Sequence, residues 1–162
     1  MEFDKVYGSY EAVMLGLDLE DAGHNFYTRV ANSCADYKVK DLFKKLADAE
    51  VEHKRVIRDE IEPRYATEWY REEDKRMMLE YLHAVQKQPI FPDPQDSATC
   101  DHVASDPEEA LNVGIRAEKQ AIDYYTFLRD ATQDENGKDV FERLRLEEVK
   151  HLEMLENMKK EL

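Results

Sequence analysis

The chain repeats itself. Laid over itself at an offset of 98 residues, "AEVEH" (49–53) covers "EEVKH" (147–151), so that Glu50 falls on Glu148 and His53 on His151. The same offset sets "LEDAGHNFYT" (19–28) on "AEKQAIDYYT" (117–126), pairing Glu20 with Glu118, Tyr27 with Tyr125 and Thr28 with Thr126. Glu11 pairs with Glu109, Gly16 with Gly114, Phe43 with Phe141 and Leu46 with Leu144, without a gap. Self-similarity of this length implies two copies of one structural unit, and the fold must give both copies equivalent surroundings.

The unit reads as a helical hairpin. Helical periodicity runs from about Ser9 to Cys34 and again from about Lys38 to Ile61, where Pro63 stops it by removing a backbone donor. The short loop between the two stretches predicts antiparallel helices. The second copy begins at Asp106-Pro107-Glu108-Glu109, with an N-capping Asp, proline at the first helical position and an acidic first turn. Its first helix runs to about Thr132. "QDENGKD" then turns the chain, with Gly137 available for a left-handed conformation, and the last helix runs from about Asp139 to Lys160.

Between the copies, residues 71–88 carry Met77, Met78, Tyr81, Leu82 and Val85 on one side of a further helix, and "QPIFPDPQDSATCDHVASD" reads as a connection. The expected architecture is all-α and a single domain over 1–162. It is a four-helix bundle of two repeated hairpins (about 9–62 and 107–160), with an extra helix in the long crossover (63–106).

A formal net charge of −14 disfavours nucleic acid and anionic membranes, and cations are the natural partners of such a chain. The N-terminal stretch carries acids inside its apolar run, so neither a signal peptide nor a membrane span is expected, and the location implied is cytoplasmic. Cys34 and Cys100 stand far apart with no CxxC in the chain. They read as packed or surface thiols rather than as ligands of a zinc or rubredoxin-type iron site.

The helical stripes hold the chemistry. The second helix presents Phe43, Leu46, Glu50, His53 and Ile57 at steps of three and four, and the fourth repeats this as Phe141, Leu144, Glu148, His151 and Leu155. The first helix adds Val13, Leu17, Glu20 and Tyr27, and the third Leu111, Ile115, Glu118 and Tyr125. Each hairpin thus aims two Glu and one His into an apolar interior. Four carboxylates buried together repel one another and lose solvation unless positive charge joins them. Two divalent cations neutralise four carboxylates, and neutral imidazoles add ligands without adding charge. One Glu from each of two helices and a Glu-x-x-His from each of the others is the ligand set of ferritin-like dimetal bundles. Glu20, Glu50, His53, Glu118, Glu148 and His151 are therefore the candidate metal ligands, and their donor set suits iron, with manganese or a mixed pair as alternatives.

Tyr27 and Tyr125 lie two turns beyond Glu20 and Glu118. They read either as phenols that orient ligand carboxylates, or supply electrons locally, or as core aromatics. Gly16 and Gly114 lie one turn before the same glutamates. They either leave space beside the metals for dioxygen or peroxide, or permit close helix packing. His24, matched by Ile122 in the other copy, reads as a packing residue or an outer partner of the ligands.

These residues carry a resemblance. "LEDAGHNFYTRV" with "LFKKLADAEVEHKRVI", and "AEKQAIDYYTFL" with "VFERLRLEEVKHLEML", look like the rubrerythrin family of the ferritin-like superfamily, and "PIFPD" is similar to that family's crossover. The resemblance implies a di-iron centre held by the six ligands, with Glu50 and Glu148 bridging. It also implies reduction of hydrogen peroxide or dioxygen in oxidative-stress defence. The chain departs from the family in two ways. Without CxxC pairs, the rubredoxin-like iron site must be replaced by an external electron donor such as a rubredoxin-like protein. Ala121 stands where typical rubrerythrins carry a further glutamate ligand. The implied activity is oxidation of Fe(II) by hydrogen peroxide or dioxygen, in a homo-oligomer with a dimer favoured. A ferritin-like iron-binding or storage protein is the alternative, although the chain ends at Leu162 without the short fifth helix of ferritin cages. An organic-substrate oxidase and a metal-free interaction bundle are further classes.

Overall fold

The computed structural model describes residues 9–64, 80, 84 and 87–162. Five α-helices are described: α1 (Ser9–Ser33), α2 (Tyr37–Val56), α3 (Ser97–Ser105), α4 (Pro107–Ala131) and α5 (Glu135–Glu161), with no strand among the described residues. The helix expected over 71–88 lies almost wholly outside them. Among the described residues no helix is long and apolar enough to cross a membrane.

The helix ends follow from their capping residues. Asp36 accepts from the amides of Lys38 and Val39 to start α2, and Asp106 accepts from those of Glu108 and Glu109 to start α4, with Pro107 at the first position. Beyond Val56 the chain keeps turning through a π-helical segment, Ile57–Ile61, in which the Glu62 amide reaches the Ile57 carbonyl, and then a 3-10 turn, Glu62–Arg64. Pro63 sits in that tighter turn, where it need not donate in α-helical register.

Two local expectations are corrected. Ser97–Ser105, read from sequence as connection, is a helix whose N-cap Asp96 accepts from the Thr99 amide. Its few apolar residues hid the period, yet Cys100 and Ala104 are enough to bury one side. The last helix starts at Glu135 rather than Asp139, because Asp134 caps it by accepting from the Gly137 amide. Gly137 is therefore an early helical residue, and no glycine among the described residues takes a positive φ.

Helices α1 and α2 pack closely, as do α4 and α5, and α3 bridges α1 and α4. The pairings run in opposite directions along each hairpin. Glu20 meets His53 and His24 meets Ala47, while Lys159 meets Asn112 and Arg129 meets Glu142. Both hairpins are antiparallel.

The core is divided in two. One cluster gathers Val13, Leu17, Ile57, Tyr125, Leu128, Phe141 and Leu144, and the other gathers Tyr27, Val30, Phe43, Leu46, Leu111 and Leu155. The repeat exchanges them: Val13 maps onto Leu111, Val30 onto Leu128, Phe43 onto Phe141, and Ile57 onto Leu155. Each long helix therefore passes from one apolar cluster to the other, and the residue at the crossing point is Glu20, Glu50, Glu118 or Glu148. The carboxylates form a polar layer between two dry ends.

Candidate metal centre

The α-helical period decides which side chains reach this layer. Glu50 and His53, three apart on α2, share its inward face, as do Glu148 and His151 on α5. Glu20, Glu50, His53, Glu118 and Glu148 are each between 1 and 5% exposed, and only His151 is partly open. Glu52, between Glu50 and His53, points outward and pairs with Arg55.

Ligand atoms of these six residues approach one another in three overlapping sets, one of three residues, His53, Glu148 and His151, and two of four. Glu20, Glu50, His53 and Glu148 bring one atom each within 4.8 Å of the others, and so do Glu50, Glu118, Glu148 and His151. Glu50 and Glu148 belong to both four-residue sets, Glu20 and His53 to one of them and Glu118 and His151 to the other, while the three-residue set joins the two imidazoles through Glu148. Such a buried Glu/His group could hold a metal ion, and its oxygen-rich donor set with imidazole fits a first-row divalent cation.

Hydrogen bonds link the imidazoles to the carboxylates within the layer. His53 Nδ1 lies 3.1 Å from Glu148 Oε1 and 3.3 Å from Glu20 Oε2. His151 Nδ1 lies 2.9 Å from Glu148 Oε2, and the two imidazoles stack at 5.5 Å. Burial opposes charge on both rings, but hydrogen bonds donated to Glu147, Glu148 and Glu20 raise His53, and those donated to Glu118 and Glu148 push His151 up to about 9. Burial and the charge of Glu148 push Glu118 up to about 8, and burial with Glu20 nearby raises Glu50 well above the carboxylate range. Burial would raise Glu148 too, yet His151 and His53 together hold it down to about 2. Hydrogen bonding to Glu148 thus favours the protonated imidazoles, and burial favours the protonated forms of Glu50 and Glu118.

Comparison with known protein families, curated proteins and solved structures finds no match. The centre is therefore interpreted from its own residues.

Tyr27 donates to Glu118 Oε1 at 2.8 Å, and Tyr125 donates to Glu20. Each phenol is buried in an apolar cluster and each donates to a carboxylate of the other hairpin. His24 is not among the clustered ligand atoms. Its Nδ1 lies 2.9 Å from the Ala47 carbonyl, tying α1 to α2.

The structure decides between the two readings of Gly16 and Gly114. A Cβ at Gly16 would lie 3.0 Å from the Tyr124 hydroxyl, and one at Gly114 would lie 3.2 Å from Leu155. Both glycines admit neighbouring side chains, so the close-packing reading applies and the open space beside the carboxylates lies elsewhere. It lies at Gly23, where a Cβ would stand 3.3 Å from the Glu50 carboxyl carbon. A narrow cavity there is lined by Gly23, Ala121, Gln120, Phe91 and the four buried glutamates. Gly23 and Ala121 are repeat partners, one turn after Glu20 and Glu118. Phe91, from "PIFPD", packs against Phe26 and Tyr27 beside it.

Glu147 also escaped the sequence reading. Its Oε2 lies 2.8 Å from His53 Nε2, on the side of the ring away from the carboxylates. The signal was the mismatch within the repeat, since Glu147 falls on Ala49. Cys34 and Cys100 are buried thiols, Cys100 donating to the Asp93 carbonyl.

Proposed function

We propose that this chain is a ferritin-like, rubrerythrin-type di-iron protein that oxidises Fe(II) with hydrogen peroxide or dioxygen. The observation that carries the reading is the sharing of Glu50 and Glu148 between two sets of converging ligand atoms. One metal position would be held by Glu20 and His53, the other by Glu118 and His151, with Glu50 and Glu148 common to both. Four carboxylates then meet the charge of two divalent ions, which accounts for a burial that would otherwise be costly. When bound, an adjacent iron pair supplies the two electrons needed to reduce one hydrogen peroxide to two waters, with two protons from solution.

The protein's own groups would do the rest. Tyr27 and Tyr125 hold Glu118 and Glu20 in place from the opposite hairpins, which limits how far the outer carboxylates can swing. The apolar clusters on either side keep bulk water from the layer. The cavity at Gly23 and Ala121 is small and reaches the four buried glutamates, which suits a small oxidant better than a large organic substrate. Re-reduction would come from an external electron donor of rubredoxin-like type.

Anaerobic Fe(II) titration with metal analysis tests the reading. Two irons per chain at saturation are expected, followed by peroxide consumption with a change in the visible spectrum as the pair is oxidised. Fewer than two irons per chain would overturn it.

A further inference from the structure

The six candidate ligands and the two tyrosines that bind them obey the repeat, and Glu147 does not. Glu20 and Glu118, Tyr27 and Tyr125, Glu50 and Glu148, and His53 and His151 match like with like, but Glu147 matches Ala49. Glu147 is half exposed, with a side-chain accessibility of 50%, and its Oε2 lies 2.8 Å from Nε2 of the buried His53. A carboxylate can only accept, so this contact places a proton on His53 Nε2. Once a metal ion displaces the other ring proton, Nδ1 is the nitrogen that can offer a lone pair, and Nδ1 is the atom facing Glu20 and Glu148. A carboxylate behind a ligating imidazole fixes its tautomer and ring plane and increases its basicity.

His151 has a different environment. Its Nδ1 faces Glu148 in the same way, but among the described residues none accepts from its Nε2. At the repeat-equivalent position of Glu147 the other copy carries Ala49, which has no group that could accept a hydrogen bond through its side chain. The two imidazoles are equivalent in sequence position and unequal in support.

We propose that Glu147 makes the two metal positions unequal, acting as a positioning residue for His53, so that a divalent cation binds first and more tightly beside Glu20 and His53 than beside Glu118 and His151. The proposal rests on the dinuclear reading above. An order of loading follows: one position is occupied as a resident site, and the other fills and empties at higher free metal.

Anaerobic calorimetric titration of the full chain with Mn(II) tests this, with metal content measured at saturation. The wild-type chain should bind two ions in two steps separated by about ten- to a hundredfold in affinity, the range typical of losing such a support. His53→Ala should abolish the tighter step and His151→Ala the weaker one. Glu147→Ala should weaken the tighter step until the two merge, leaving the weaker step in place. Glu147→Gln, whose amide oxygen still accepts from Nε2, should keep most of the separation. Ala49→Glu should tighten the weaker step by giving His151 a matching partner. Two ions per chain with unchanged affinities in Glu147→Ala, or both steps weakened equally, would overturn this proposal alone. A wild-type chain that binds a single ion would overturn the dinuclear reading and this proposal with it.

Discussion

The Tyr27 hydroxyl donates to Glu118 Oε1, joining the first hairpin to the second through the buried carboxylate layer. The repeat returns the same bond in the other direction, from Tyr125 to Glu20. Burial, and next the charge of the facing glutamate, push both phenols well above the ordinary tyrosine range, so both stay protonated donors.

Tyr27→Phe keeps the ring and deletes the donor. In the metal-free protein, where Glu118 retains a proton near neutral pH, the loss should be about 1 kcal/mol, and with metal bound and Glu118 ionised about 2 kcal/mol. Urea unfolding with and without Mn(II) measures the difference. Equal losses in the two states would contradict the coupling of this phenol to a metal-binding carboxylate.

Glu50→Gln removes a carboxyl group shared by both proposed positions. Uptake of both ions should fall, while the metal-free protein should unfold at the same or a higher temperature, because burial and Glu20 already disfavour charge on Glu50. Metal analysis and calorimetry on the same sample check both halves of this expectation. A strongly destabilised metal-free variant would count against it.

Metal-free stability should decline between about pH 5 and 9. Glu118 and His151 both have folded-state values above their unfolded ones, about 8 against 4.5 and about 9 against 6.5. Each therefore contributes stability that is complete below the unfolded value and lost as pH rises through the folded value. Glu148 works in the opposite sense, being held down from 4.5 to about 2, so its contribution is complete above pH 4.5 and is lost as pH falls through about 2. Bound metal displaces the protons on these ligands, so loading should release protons and metal affinity should increase with pH across the same interval. Thermal unfolding in chelator over a pH series, paired with proton release on adding Mn(II), gives both slopes.

Gly23 and Gly114 should respond differently to the same substitution. Gly114→Ala brings a Cβ to 3.2 Å from Leu155 and 3.4 Å from Phe43, and overpacking of this kind costs about 1 to 3 kcal/mol with metal binding little changed. Gly23→Ala gains about 1 kcal/mol of helix propensity but crowds the Glu50 carboxyl, so its effect should fall on metal affinity. Thermal unfolding and Mn(II) titration of the pair separate packing from coordination.

The sequence by itself determined that the protein is built from repeated helical hairpins and that six Glu and His side chains face its interior. Both follow from local rules: a 3.6-residue period places Glu50 with His53 and Glu148 with His151 on one face each, and an ungapped repeat requires equivalent surroundings for the two copies. Caps were legible where Asp106-Pro107 announced α4 and misleading where Gly137 proved to lie inside α5. The tertiary structure alone decided who meets whom. It paired Tyr27 with the glutamate of the other hairpin, filled the space at Gly16 with Tyr124, opened a cavity at Gly23, and put Glu147 behind His53. Those outcomes depend on how the two hairpins face one another and on which side chains fill the gap between them. The period of a single helix carries no information about either.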